Sequence, residues 1–134
     1  MGIGTHFRLN KGGIALIAVL GVLGAGRFVY HAIEASFACK RTVLARVASP
    51  DGRLAAVTEE VSCGAGAPVV TEVSLVPAGA APDPDRYPPF FRVRDRHDLR
   101  VRWAGDAALA VDAPGGVRAD RMEHLVDGVA IVYD

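Results

Sequence analysis

The sequence predicts a mainly β protein, in which an N-terminal transmembrane helix precedes a small antiparallel β-sheet or sandwich-like domain. An uncharged apolar run at residues 12–26 predicts the helix. After Cys39 the helical period ends, and short runs of β-branched residues alternate with Gly, Pro and Asp, which is typical of strands joined by turns. We therefore divide the chain into a cytoplasmic tail (1–11), a transmembrane anchor (12–33), a linker (34–41) and an exported β domain (42–134).

The apolar run reaches membrane length if Arg27 is tolerated at the membrane boundary. Residues 14–33 would then form a helix about 30 Å long, which matches the hydrocarbon thickness of a bilayer. Arg8 and Lys11 precede the run, and the positive-inside tendency keeps such residues in the cytoplasm. The prediction is a single-pass protein of the cytoplasmic (inner) membrane with its C-terminal domain on the periplasmic side. Three alternatives remain, namely a cleaved signal peptide, a lipoprotein acylated at Cys39 and a buried core helix of a soluble protein.

The charge distribution agrees with a membrane location and gives no support for nucleic acid as a partner. The chain has 15 basic and 15 acidic residues, so its net charge is zero. After Arg41 there are ten arginines against 14 acidic residues, a net charge of −4, so the basic excess lies beside the apolar run. Only two basic residues are lysines, which is typical of a GC-rich bacterial genome.

Seven short strands are predicted in the exported domain, at residues 42–48, 53–61, 69–76, 90–95, 99–103, 107–113 and 128–134. Pro50, Asp51 and Gly52 have the residue types of a tight turn between the first two strands. The Pro-rich residues 77–89 predict an exposed loop, and residues 118–126 predict one short helix.

The alternation between Phe91 and Trp103 predicts an outer face rich in arginine. Apolar residues occupy one parity of this stretch and arginines the other, so a turn at 95–98 would join two strands with their arginines on one side. Four arginines form the candidate anion-binding face: Arg92, Arg94, Arg100 and Arg102. They could bind phosphate, anionic lipid headgroups or acidic polymers. The alternative is a solvated face paired with acidic residues such as Glu72 and Asp112. Trp103 falls on the apolar parity and is predicted to be buried.

The chain has two cysteines, Cys39 and Cys63, and both follow the apolar run. They are nearly symmetric about the turn at residues 50–52, so a hairpin would bring them together. Disulfides persist outside the cytoplasm, and we therefore predict a Cys39–Cys63 disulfide. Closing a loop of about 25 residues would contribute about 3 kcal/mol to stability. The alternative, a nucleophilic Cys63, would need a base such as His124.

Residues 49–79 read SPDGRLAAVTEEVSCGAGAPVVTEVSLVPAG, in which Ser-Pro-Asp-Gly opens a strand that ends in Cys-Gly-Ala and precedes a Val-Ser strand. This pattern resembles a family of small bacterial single-span membrane proteins and lipoproteins of unknown function. Trp103, Asp106 and Leu109 resemble a later strand pair of that family, whereas Gly66 and Ala67 stand where its members usually carry Thr. The resemblance implies an architecture and a location, and no activity. The same residues also resemble one blade of a β-propeller, but a propeller needs several blades.

His97 lies between Asp95 and Asp98 and is the remaining candidate for a metal or acid–base cluster. A histidine between acids in a turn is more often a solvated tip, so we predict no catalytic, metal or cofactor site. The predicted function is a non-enzymatic interaction or envelope-accessory module with an envelope protein as partner. The alternatives are a small envelope hydrolase or transferase using Cys63 or the His97 cluster, and a ligand-binding lipoprotein.

Overall fold

The computed structural model describes residues 11–37 and 39–134, and the chain divides into two compact units, 1–38 and 39–134. The first unit contains helix α1 (Lys11–Phe37), of which Lys11–Tyr30 is long and apolar enough to cross a membrane. Large apolar side chains along it are exposed, among them Leu16, Val22 and Phe28. A helix that is apolar on all sides suits a lipid environment better than water.

The predicted boundaries of the linker need a correction. Helix α1 continues to Phe37, and the first strand already begins at Lys40, so residues 34–41 do not form a separate linker. Residues 34–37 read Glu-Ala-Ser-Phe and contain neither Gly nor Pro, so no helix breaker ends the helix earlier. Of the predicted cytoplasmic tail, residues 1–10 lie outside the described residues, and Arg8 with them.

The second unit is built from nine strands: β1 (Lys40–Ala48), β2 (Leu54–Ser62), β3 (Val70–Pro77), β4 (Phe91–Arg94), β5 (Arg100–Gly105), β6 (Ala108–Asp112), β7 (Ala119–Met122), β8 (Leu125–Val126) and β9 (Val129–Tyr133). All seven predicted strands are present, with bounds that differ by one or two residues. A five-stranded sheet has the order β1-β2-β3-β4-β7, and a four-stranded sheet has the order β5-β6-β9-β8. Neighbouring strands are antiparallel except β6 and β9, which pair in parallel.

Strands β7 and β8 occupy the stretch 118–126, so the predicted short helix is wrong. The helix prediction used the spacing of Met122, Leu125 and Val126 alone. In the structure β7 pairs with β4, and β8 pairs with β9. The pairing with strands that are distant in sequence therefore outweighs a weak local periodicity.

The two sheets face each other across one hydrophobic core, which confirms the predicted sandwich-like domain. The five-stranded sheet contributes Val73, Leu75 and Phe91, while the four-stranded sheet contributes Leu109 and Ile131, and all five are buried. Alternate residues along each strand point inward, as the period of two requires.

The outer face of the five-stranded sheet is covered at one end by the loop between β3 and β4. Tyr87 of this loop packs on a small buried cluster of Ala55, Val57 and Val76. The Pro-rich loop is therefore not simply exposed, as the sequence predicted, because apolar residues on this outer face need cover. The other end of the face, which the loop leaves open, carries the charged residues described next.

Candidate functional site

The Cys39–Cys63 disulfide closes the open end of the β1–β2 hairpin. The two Cα atoms lie 4.0 Å apart, and the sulfur atoms are bonded, so the predicted disulfide is confirmed. Lys40 pairs with Ser62 in the hairpin register, which places the cysteines opposite each other one position further out. The bonded sulfurs cannot serve as a thiolate at Cys63 or as a lipid attachment point at Cys39. A nucleophilic Cys63 and a lipoprotein acylated at Cys39 both need a free cysteine, so neither alternative has the free sulfur atom that it requires.

Two carboxylates are buried side by side on the outer face, next to this end of the hairpin. Glu59 and Glu72 are directly opposite each other in β2 and β3, and the side chain of each is only 4% exposed. Arg41 in β1 donates to both, at 3.0 Å to Glu59 Oε2 and 2.6 Å to Glu72 Oε2. Arg92 in β4 lies 3.4 Å from the other oxygen of Glu72. Two arginines therefore compensate two buried carboxylates.

The contacts with the two carboxylates favour the charged form of Arg41. Burial of the guanidinium group acts to lower the pKa of Arg41, but the hydrogen bonds to Glu59 and Glu72 outweigh it and raise the pKa above its usual value. In the described part of the chain, every buried side-chain nitrogen or oxygen has a hydrogen-bond partner. The cluster is thus an ionic network in which each buried polar side-chain atom has a hydrogen-bond partner.

Beside this network, three arginines surround a concavity of about 730 Å³. We call it the arginine concavity, and define it by its apolar floor of Cys63, Ala67, Pro68 and Val70 and by its charged rim of Arg92, Arg94, Arg121 and Asp120. The side chains of Arg92, Arg94 and Arg121 are 44%, 71% and 46% exposed. Arg94 Nε lies 3.3 Å from Asp120 Oδ2, and Arg121 pairs with Glu123.

The four arginines of the predicted anion-binding face do not share one face. Arg92 and Arg94 are in β4 of the five-stranded sheet, whereas Arg100 and Arg102 are in β5 of the four-stranded sheet. The segment 95–98 crosses between the sheets instead of closing a hairpin, so the two pairs point away from the core on opposite sides of the sandwich. Arg102 pairs with Asp134 at 2.9 Å.

His97 lies in the crossover segment, where its neighbours fix the backbone. The hydroxyl of Thr71 donates to the carbonyl of Asp95 at 2.8 Å and accepts from the backbone N–H of His97 at 3.1 Å. Asp95 adopts a left-handed conformation with φ of 67°, which short polar residues tolerate. Among residues 11–37 and 39–134, no group of three or more His, Cys, Asp or Glu residues could hold a metal ion.

The sequence did not predict two parts of this site. Arg121 and Asp120 lie in the stretch that was predicted as a helix, so their position beside β4 could not be foreseen. Glu59 lies near the end of the predicted strand 53–61, and the β2–β3 register places it opposite Glu72. The predicted strand bounds do not fix this register, so the pair has no direct signal in the sequence.

Comparison with models of protein families, with curated proteins and with solved structures finds no match for this chain. The resemblance of residues 49–79 to a family of small membrane proteins and lipoproteins stays a prediction that rests on the quoted motif.

Proposed function

We propose that this chain is a single-pass protein of the bacterial cytoplasmic membrane whose β domain lies on the periplasmic side. We further propose that the domain acts as a non-enzymatic interaction module of the cell envelope. One observation carries the proposal: a disulfide begins two residues after the end of a helix of 27 residues, of which Lys11–Tyr30 is apolar enough to cross a membrane. The helix supplies an anchor, and the disulfide indicates the compartment.

The location follows from redox chemistry and from charge. Disulfides form and persist outside the cytoplasm, where reducing systems do not keep thiols reduced. A domain whose first residue, Cys39, is in a disulfide therefore belongs on the oxidising side. Arg8 and Lys11 precede the uncharged apolar run at residues 12–26, and the positive-inside tendency retains them in the cytoplasm. Both arguments favour the same orientation.

The interaction role is supported by what the domain leaves exposed. The outer face of the four-stranded sheet presents Ala130 and Val132 from β9 and Leu125 from β8. Val132 is 53% exposed and Leu125 is 69% exposed. Neighbouring exposed apolar side chains on the outer face of a sheet favour contact with a protein partner. The reactive groups, in contrast, are engaged: Cys63 is in the disulfide, and the two buried carboxylates are bound to arginines.

The orientation can be tested with a reporter that is active only outside the cytoplasm, fused after Asp134. We expect an active reporter and a product that retains its N-terminus, because the helix is an uncleaved anchor. Thiol labelling in unreduced membranes should leave both cysteines unmodified. An inactive reporter contradicts the orientation, and a product shortened at its N-terminus contradicts the anchor.

The interaction role can be tested with a photo-crosslinking residue at position 132. The matched control carries the same residue at position 106, in the exposed turn between β5 and β6. We expect a crosslink to one envelope protein from position 132 and none from position 106. His97→Ala should leave the yield unchanged. Equal yields from both positions, or none from either, contradict the assignment of this face.

A further inference from the structure

The residues that line the arginine concavity carry more positive than negative charge, while Glu72 and Glu123, which pair with Arg92 and Arg121, lie outside the lining. The rim has three arginines, and Asp120 is its lining carboxylate. Arg92 shares Glu72 with Arg41, and the contact from Arg41 is the shorter one, at 2.6 Å against 3.4 Å. Arg41 contacts both Glu59 and Glu72, so Arg41 and Arg92 together compensate the two buried carboxylates. Arg92, whose side chain is 44% exposed, also lines the concavity.

The register of the sheet places two of these arginines against each other. Arg92 in β4 pairs directly with Arg121 in β7. Like charges that are directly opposite on neighbouring strands destabilise a sheet. Glu72 and Glu123 each compensate one of the two guanidinium groups in part, and an anion bound between the guanidinium groups would reduce the remaining repulsion.

The arginines also have N–H groups that can donate hydrogen bonds to a ligand. A guanidinium group has five N–H donors, and the hydrogen bond of Arg94 to Asp120 uses Nε. Arg92 likewise approaches Glu72 through Nε. Guanidinium groups bind phosphate through paired N–H donors, and the several oxygens of a phosphate can serve more than one arginine at a time.

The apolar floor of the concavity indicates which chemical group is attached to the bound anion. Cys63, Pro68 and Val70 line it and have no charged side chain, so a bare ion would leave this part of the concavity without a contact. A ligand that joins an anionic group to a short carbon chain would cover both the rim and the floor.

We infer that the arginine concavity is a binding site for a phosphate ester, whose phosphate group lies between Arg92, Arg94 and Arg121 and whose carbon chain lies on the apolar floor. The ester has two candidate sources. One is the headgroup of an anionic phospholipid, which the proposed membrane anchor would bring close, and the other is a soluble phosphate ester.

The test uses the full chain in an uncharged, phosphate-free detergent such as dodecyl maltoside, with binding measured by calorimetry. The probes are butyl phosphate, inorganic phosphate and dihexanoyl phosphatidylglycerol. The variant Arg94→Gln with Arg121→Gln is compared with Arg100→Gln and Arg102→Gln, which removes the same charge from the opposite sheet. We expect the first variant to bind butyl phosphate at least about tenfold more weakly than the wild type, and the second to bind it unchanged.

A second pair of variants tests the site without removing an arginine. Ala67→Glu places a carboxylate in the concavity, and Ala107→Glu places one in an exposed turn elsewhere. Binding should be lost in the first and kept in the second. Near-ultraviolet circular dichroism verifies that each variant is folded, and the absence of labelled thiols verifies that its disulfide has formed.

Three results would overturn the inference: no binding to the wild type, equal weakening in both double variants, or inorganic phosphate binding as tightly as butyl phosphate. If dihexanoyl phosphatidylglycerol binds with the same dependence on Arg94 and Arg121, the source is lipid. If butyl phosphate binds with this dependence and dihexanoyl phosphatidylglycerol does not, the source is a soluble ester. The measurement uses neither membrane orientation nor a protein partner, so its failure leaves the proposed function standing.

Discussion

At the scale of single residues, the turn at Ser49 to Gly52 shows how local chemistry shapes the hairpin. The Ser49 hydroxyl donates to Asp51 Oδ1 at 2.6 Å, and the Arg53 backbone N–H donates to the same oxygen at 3.1 Å. Gly52 has φ of 71°, a conformation that glycine adopts without steric cost. These bonds, first from Ser49 and then from Arg53, lower the pKa of Asp51 to about 2.

The lowered pKa predicts a pH-dependent contribution of Asp51 to stability. Hydrogen bonds favour the ionised carboxylate in the folded state, so the contribution is fully present above the unfolded pKa of 3.8 and is lost as the pH falls towards about 2. We expect Asp51→Asn to lower the melting temperature at pH 7, and the difference from the wild type to shrink between pH 4 and pH 2. Thermal unfolding at several pH values measures this. An equal difference at pH 7 and pH 2 contradicts it.

At the scale of elements, the β1–β2 hairpin is held at both ends, by the turn at one and by the disulfide at the other. The hydrogen bond from Ser49 N–H to the Leu54 carbonyl, at 2.8 Å, closes the turn, and Cys39 and Cys63 close the opposite end. Because β1 is an edge strand with a single neighbouring strand, β2, these attachments keep it in the sheet.

Removing the disulfide should therefore release β1. A bond between residues 24 apart restricts the unfolded chain, and Cys63→Ser should lower the free energy of unfolding by about 3 kcal/mol. Urea unfolding with and without a reducing agent provides the measurement. The double variant Cys39→Ser with Cys63→Ser is the control, and the reducing agent should not change its stability. A wild type that is insensitive to reduction would contradict the prediction.

The buried carboxylates lead to a second prediction, which concerns the stability of this hairpin. Arg41→Met removes the arginine that donates to both Glu59 and Glu72, which leaves two buried charges opposite each other. We expect the free energy of unfolding to fall by about 3 kcal/mol. Adding Glu59→Gln should recover much of that loss, because one of the two charges is removed. A double-mutant cycle in urea measures the coupling, and simple additivity of the two changes contradicts it.

The strands could be predicted from the sequence because their signals are local. Alternation of apolar and polar residues and the Gly, Pro and Asp turns mark seven strands at nearly the observed bounds. β7 and β8 could not be predicted in the same way, because their strand character comes from pairing with β4 and β9. The arginine concavity depends on this pairing, since Arg121 reaches Arg92 only when β7 joins the sheet.

At the scale of the whole β domain, Trp103 connects the two sheets. Its side chain is half-buried against the core, and its indole N–H donates to the Val47 carbonyl in β1 at 3.0 Å. The sequence predicted a buried Trp103 from the parity that it shares with Val101, and the structure leaves the side chain partly buried against the core. The link to an edge strand of the other sheet could not be predicted, because it depends on how the sheets stack.

The link predicts a graded response to substitution. Trp103→Phe keeps an aromatic ring in the core but loses the N–H donor, so the free energy of unfolding should fall by about 1 kcal/mol. Trp103→Ala also loses the packing of the ring, and the loss should reach about 3 kcal/mol. Arg102→Ala, a neighbouring exposed position, should change it by less than about 0.5 kcal/mol. Equal losses for the Phe and Ala variants, measured in urea, contradict the role of the ring.

The position of β9 determines when the domain can acquire its structure during synthesis. β9, at Val129–Tyr133, lies between β6 and β8 in the four-stranded sheet, so its backbone bonds hold that sheet together. A nascent chain that has not yet reached Tyr133 lacks this central strand, and β8 then has no neighbour to pair with. If the chain is exported as proposed, it would cross the membrane with this sheet unformed. The inner faces of the sandwich would meet only after these residues emerge.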